Sequence, residues 1–462
     1  MRRFFASGAA LALAFSAIVG SAHAQEFPKG TAAMSPGIAD DRTSWAVFLS
    51  VVTPVPASAG WPAGTLTYET WATDNDTFGP SAPHWPSPSS PPTIRFQPSA
   101  LGLHGPSGLK AMSVPGDTDN AGIPPSVSCQ KPGNAAAGDF PTPASTPPAP
   151  PANCAAEEVR RNLATFNYIA GVSPAPLPLY TQAQMATSAK SGPPVSFPSS
   201  GQKGSLTGAS IEVKVDWIPV DTVVTWLTKV GVKNVDTAYV MANYFTTTQG
   251  PTVYAMLSMH VNLKDRPNWL WSTFEHQMNP GRCDTMGCYD MFGMEGKLRS
   301  IPPNKAQNGI YPVCTGKSLE LQNMFKEAGI GTSSVWNNYC LKSTQADFVY
   351  VSGTLPPEAK ADAIRPGAPL ALLSGDSVVE RVVANVPIAN SSCITCHSYA
   401  AFTDTGTIRG NKSGTTTKCN PGLINGSGPV GDHKADLIAG QKQYDFVWGM
   451  INAAPVEQPC SP

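Results

Sequence analysis

Charge is scarce in this chain of 462 residues: Asp, Glu, Lys and Arg together make up 14%, against roughly a quarter in ordinary soluble domains. Neither sign prevails. The 31 Lys and Arg against 32 Asp and Glu give a formal net charge of -1, so the basic footprint of a nucleic-acid binder is missing and no nucleic acid is expected as a partner. After the first 24 residues there is no uninterrupted run of 18 apolar residues, hence no expected membrane span once those residues are removed. Several catalytic signatures are missing too: there is no Gly-x-Ser-x-Gly elbow, no phosphate loop and no His-Glu-x-x-His. A repeat of 20 to 50 residues, the mark of solenoids and propellers, does not occur either.

What the chain has in excess is proline, 46 residues, about twice the usual share of roughly 5%. Much of it lies in 79–98 and in the run 141–151, which has no means of packing a core and is read as extended chain. The first 24 residues read as a signal peptide. Arg2 and Arg3 precede an apolar stretch from Phe4 to Gly20, and Ala22-His23-Ala24 before Gln25 fits a small-x-small cleavage site. A periplasmic or secreted protein is therefore expected.

Ten cysteines in an exported chain need an accounting. Ser392-Cys393-Ile394-Thr395-Cys396-His397 contains Cys-x-x-Cys-His, the spacing at which two thiols add to the two vinyl groups of one haem while the next imidazole becomes proximal ligand to its iron. With 10 cysteines and 7 histidines, chance would supply only ~0.003 such pentapeptides. One covalent haem c on Cys393, Cys396 and His397 is the expected cofactor. A redox Cys-x-x-Cys is disfavoured because no strand-helix unit of thioredoxin type precedes it, and zinc because no second Cys-x-x-Cys completes four ligands. The other eight cysteines suit four disulfides in an oxidising compartment. Spacing suggests Cys129 with Cys154, Cys283 with Cys288, Cys314 with Cys340 and Cys419 with Cys460, among 105 formal pairings.

The sixth iron ligand decides between an electron carrier and an open site. Met450 is the only methionine after His397, and His433 the only imidazole. His276, beside Glu275, has a neighbour that could orient its ring, so His276 or Met450 is the candidate distal ligand. His260 alternates with Ser258 and Asn262 and is read as a solvated or hydrogen-bonded histidine on a polar strand face. Glu275 is read as salt-bridged, with Lys264 and Arg266 in reach.

Periodicity outlines an α+β, strand-rich fold with long Pro/Gly-rich loops. A helix is expected over 155–170, with Glu157 and Arg161 one turn apart and Gly171 as stop. The stretch 173–205 reads as a linker. Ile211, Val213, Val215 and Trp217 alternate with Glu212, Lys214 and Asp216, the pattern of a strand with one buried face. Two more strands, 253–263 and 269–276, form a hairpin about Asp265-Arg266-Pro267-Asn268. A helix follows over 319–328 with Gly329 as cap, and Tyr444, Val447, Trp448 and Ile451 suggest a short helix near the haem. The expected organisation is a signal peptide at 1–24, a Pro-rich irregular N-terminal region with one helix at 25–204, a β-rich core at 205–350, and a mostly helical haem-binding segment at 351–462.

The blocks Asn268-Trp-Leu-Trp-Ser-Thr-Phe-Glu-His276, Asn338-Tyr-Cys-Leu-Lys-Ser-Thr-Gln345 and Ser391 to His397 resemble large bacterial exported proteins with a single C-terminal haem motif, the cytochrome c family proteins. The resemblance runs from about residue 211 onward. Here Gln277-Met278 follows the histidine, where Val-Asp is the commoner continuation. What the resemblance implies is haem binding at Cys393, Cys396 and His397, with no assigned reaction. The functional expectation is electron transfer with a periplasmic redox partner protein. The alternative is a haem-dependent oxidoreductase or small-ligand sensor with an open axial site, since the chain is several times longer than a minimal carrier.

Overall fold

The alternation from Ile211 to Trp217 folds as a strand and lies inside the main sheet. The computed structural model describes residues 38–78, 82–92, 156–172, 175–200, 206–249, 252–283, 287–302, 310–346, 393–398, 400–405, 441–447 and 449–450. As far as residue 345 the strands within them are β1 (Ala156–Arg161), β2 (Ile211–Pro219), β3 (Thr246–Gln249), β4 (Thr252–Leu263), β5 (Leu270–His276), β6 (Cys288–Tyr289), β7 (Ser300–Ile301) and β8 (Tyr339–Gln345). Six of these form one antiparallel sheet in the order β1-β2-β4-β5-β8, with β3 paired to the start of β4. The hairpin turns where expected, bringing Leu263 opposite Leu270 and Ser258 opposite Glu275. The fold class is α+β.

One face of this sheet is apolar. Val213, Val215, Val261, Leu270, Phe274 and Leu341 are buried against helix α1 (Ile38–Val52). Phe48 stacks on Phe274 with centroids 4.1 Å apart, and Trp45 meets Phe274 edge-on at 4.9 Å. Trp45 Nε1 donates to Asp290 Oδ2 at 2.8 Å, which satisfies the indole inside the core. α1 corrects the expectation of irregular chain over 25–150. Its residues are buried nearly all round, so no polar stripe announces it as a helix.

The helix expected over 155–170 is also corrected. Its first half is β1, which pairs with β2 so that Val159 opposes Lys214; only its second half is helical. Asn162 ends the strand and caps the next element, its Oδ1 accepting from Thr165 N–H at 3.1 Å. Two buried arginines explain the preference for a strand. Arg160 Nε donates to Glu158 at 2.7 Å, and Arg161 Nε to Glu212 at 3.0 Å, a partner that only the neighbouring strand supplies. Helices α2 (Asp74–Phe78), α3 (Leu163–Ala170), α4 (Gln182–Ser191), α5 (Val220–Lys229), α6 (Thr237–Asn243) and α7 (Leu319–Glu327) complete the sequence as far as β8. α4 lies in the stretch read as a linker; its capping box of Thr181 and Gln184 was there to be read. α7 matches its expected span, capped by Ser318 and released at Gly329, φ 72°.

Cys283 and Cys288 are bridged, as are Cys314 and Cys340, with Cα–Cα distances of 5.0 and 5.8 Å. Cys129, Cys154, Cys419, Cys460 and residues 1–24, read as a signal peptide, lie outside the described residues. Among the described residues no helix is long and apolar enough to cross a membrane.

Candidate haem-attachment site

The second face of the sheet was expected to meet solvent and does not. Glu212, Asn262, Trp271 and Gln345 lie opposite one another across β2, β4, β5 and β8, and all four are buried. The next rank is Lys214, His260, Thr273 and Ser343, of which the last three are buried. Strand alternation puts these polar groups on one side. What covers them includes the C-terminal segment.

The motif forms helix α8 (Cys393–Ser398). It rests on the first rank: Ile394 N–H donates to Gln345 Oε1 at 3.1 Å, and the His397 and Trp271 ring centroids are 4.5 Å apart. Ile394 is fully buried in a cluster with Trp271, Phe402, Tyr444, Val447 and Met450. After α8, β9 (Ala401–Phe402) pairs with β10 (Lys442–Gln443) and returns the chain to the helix. Asp445 and Phe446 then take left-handed backbone, φ 49° and 69°, conformations that need outside support. The support is visible. Asp445 accepts from Lys264 Nζ and from Phe197 N–H, both at 2.6 Å, and Tyr444 Oη donates to Met185 O at 2.8 Å. Close approach matters as well, since a Cβ at Gly449 would run into the Arg161 guanidinium.

This turn aims the Phe446 carbonyl at His397 Nδ1, 2.7 Å away. A carbonyl only accepts, so Nδ1 carries the hydrogen and Nε2 keeps the lone pair. Burial pushes the His397 pKa down to about 3, the backbone bond opposes that shift, and the charges of Lys214 and His260 reinforce it. The imidazole is thus neutral and oriented, with a lone pair on the nitrogen a metal would take. Cys393, Cys396 and His397 fall at i, i+3 and i+4 of one helix and so share a face. Cys393 is partly exposed, and the side chain of Cys396 lies outside the described residues. The donor set fits a haem attached by two thiols with an imidazole beneath its iron.

The two distal candidates separate. His276 is engaged with residues outside the motif. It stacks on Tyr244 with centroids 3.4 Å apart, its Nε2 donates to Asn243 O at 3.0 Å, and its Nδ1 accepts from Met278 N–H at 3.2 Å. Both nitrogens are in use, and burial holds the pKa down to about 3. Met450 is fully buried beside Ile394 and Val447. His260, read as solvated or hydrogen-bonded, is 5% exposed, with Nδ1 3.1 Å from Thr273 Oγ1. Glu275 is ion-paired, with Lys342 Nζ at 2.9 Å; Lys264 and Arg266 pair instead with Asp445 and with Asp40 and Asp265. Tyr444 and Val447 pack on α8 from a turn and not from the expected helix, because the left-handed pair Asp445-Phe446 interrupts it. His433, Trp448 and Ile451 lie outside the described residues.

Trp271, Gln345 and the Phe446 carbonyl are site components that residue-by-residue reading missed. The available signal was three strands whose polar faces all carry Trp, His or charge. Comparison with known proteins finds no matching family model, no matching curated protein and no matching solved structure.

Proposed function

We propose that the protein is an exported c-type cytochrome with one covalent haem c on Cys393 and Cys396 and His397 as proximal ligand, exchanging electrons with a periplasmic partner protein. The observation that carries this reading is the 2.7 Å bond from His397 Nδ1 to Phe446 O, which fixes the tautomer that presents Nε2 to iron. When bound, the haem supplies a one-electron couple whose potential depends on axial ligands, hydrogen bonds and burial. The chain's own residues hold the imidazole neutral, pack Trp271 against it, and secure the turn that carries Phe446. We further propose that 351–462 folds mostly as helix about the haem, with α8 its described part.

Replacing Cys393 and Cys396 together with Ala is expected to abolish haem that survives a denaturing gel. Covalent haem in that double variant would overturn the assignment. The second reading, an oxidoreductase or ligand sensor, is favoured by the buried polar face beside the motif. Carbon monoxide binding by the reduced protein would favour it over the carrier.

A further inference from the structure

We propose that the bridge between Cys283 and Cys288 is a redox centre that exchanges with the thiols of a dithiol partner protein, and that the Arg282 guanidinium draws it toward the reduced state. This inference stands apart from the cytochrome reading. Arg282 Nη1 donates to both sulfurs, at 3.3 Å to Cys283 Sγ and at 3.4 Å to Cys288 Sγ. Its other bonds reach neutral oxygens, Nη2 to Pro312 O at 2.7 Å and Nε to Gln277 O at 3.4 Å. Glu275, the carboxylate whose charge reaches it, is paired with Lys342. Arg282 is 3% exposed, so a cation sits in the interior against a disulfide. Burial pulls its pKa down to about 10 although the Glu275 charge opposes that.

A disulfide sulfur is a weak, uncharged acceptor. Once one sulfur becomes a thiolate, the same contact is a charge-assisted bond, roughly twice as strong as a neutral one, and the buried cation gains its counter-charge. A disulfide whose reduced form is stabilised in this way is an oxidising one. The electrons balance against a dithiol. The bridge takes two electrons and one proton, leaving one thiol and one thiolate; the donor closes to its own disulfide, and its second proton passes to solvent. Cys288 lies in β6, which pairs with β7 over two residues, and so short a pairing opens before the core and admits an attacking thiolate. The bridge between Cys314 and Cys340 is built differently. It lies in the apolar core and spans 26 residues against 5, the longer loop being the one whose closure stabilises more. The nearby Lys317 gives its ammonium to the Cys314 and Asn337 carbonyls, and among the described residues no cation donates to those two sulfurs.

The test equilibrates the full chain with mixtures of reduced and oxidised glutathione, approached from both sides, and reads each bridge by alkylation and mass spectrometry. The pair Cys283 and Cys288 is expected to open at a ratio that leaves Cys314 and Cys340 closed, since structural bridges resist the glutathione pool. Arg282→Gln is expected to need a mixture about tenfold more reducing, and Arg282→Lys, which keeps the charge, to recover part of that shift. Direction separates this from a structural role. Damage to the fold would make the bridge easier to reduce, whereas loss of the cation makes it harder. A wild-type pair as resistant as Cys314 and Cys340, or an Arg282→Gln bridge opened as readily as wild type, overturns the proposal. Should the glutamine variant not fold, wild type still decides: the reduced pair is expected to lose thiolate absorbance on acidification, and a reduced pair without that absorbance at neutral pH overturns the proposal as well.

Discussion

Phe274 and Glu275 are neighbours on β5 and point to opposite sides of the sheet, and both are fully buried. Phe274 meets Phe48 and Trp45 of α1. Glu275 meets Lys342 Nζ at 2.9 Å and Asn279 Nδ2 at 3.3 Å. Equal burial thus comes with different energetics. Apolar area leaving water drives the first side together, at roughly 25 cal/mol per Å². The second has to recover the desolvation of each charge through a partner, and replacing such pairs by apolar groups is often neutral or stabilising. A face that stability alone would not select, lying under the haem motif, is where function is the better explanation of the residues.

The contrast breaks most sharply under substitution. Lys342→Met leaves the Glu275 carboxylate buried without its ammonium and is expected to cost about 3–5 kcal/mol. Adding Glu275→Leu is expected to return most of that loss. Phe48→Ala on the other side is expected to cost about 3–5 kcal/mol through lost contacts and a cavity, and adding Phe274→Ala to deepen the loss. Urea unfolding of the four variants compares the single and the double on each side. Equal behaviour of the two doubles would erase the distinction between the faces.

A smaller effect concerns the buried His276. Its folded pKa is about 3, whereas in an unfolded chain it protonates near the ordinary value of about 6.5. Between these values the unfolded state binds the extra proton, so stability falls as pH falls through that window, by about 2 kcal/mol at pH 5 for this group. His276→Gln is expected to flatten that acid limb. The measurement is the difference in urea midpoint between pH 7 and pH 5, wild type against variant. A variant with the wild-type acid slope would show that His276 is not held neutral.

Much of the second face's composition was legible in the sequence, but not its burial. Alternation located β2, β4, β5 and their turn, because a period of two is a local property. It could not say that the polar side would be covered, since part of the cover, α8, begins at residue 393, more than a hundred positions after β5. α1 failed for the opposite reason, a helix so completely buried that it has no polar stripe. β1 read as helix because Val159, Leu163 and Phe166 have helical spacing, while the pairing of Arg161 with Glu212 is invisible until two strands meet. The Cys-x-x-Cys-His pattern stood out since it is local; the carbonyl that orients His397 did not, because it belongs to Phe446, 49 residues on.

That carbonyl also gives the finest probe of how the second face is closed. Asp445 is held by Lys264 and by the Phe197 amide, and it has a left-handed backbone, φ 49°. Asn tolerates that conformation nearly as well as Asp, so Asp445→Asn removes the charge and leaves the turn. A bond between charged partners is about twice as strong as a neutral one, so the expected global cost is only about 1 kcal/mol. The local consequence is expected to be larger than that figure suggests. β10 pairs with β9 over only two residues, and segments so weakly paired open before the core does. Hydrogen exchange at Tyr444 and Val447 is therefore expected to quicken in Asp445→Asn, while the amides of Met259 and Val261 in β4, whose side chains pack on α1's side of the sheet, keep their protection. Uniform quickening through both would mean that the motif segment and the apolar core open as one unit, and that the two faces differ in composition without differing in cooperativity.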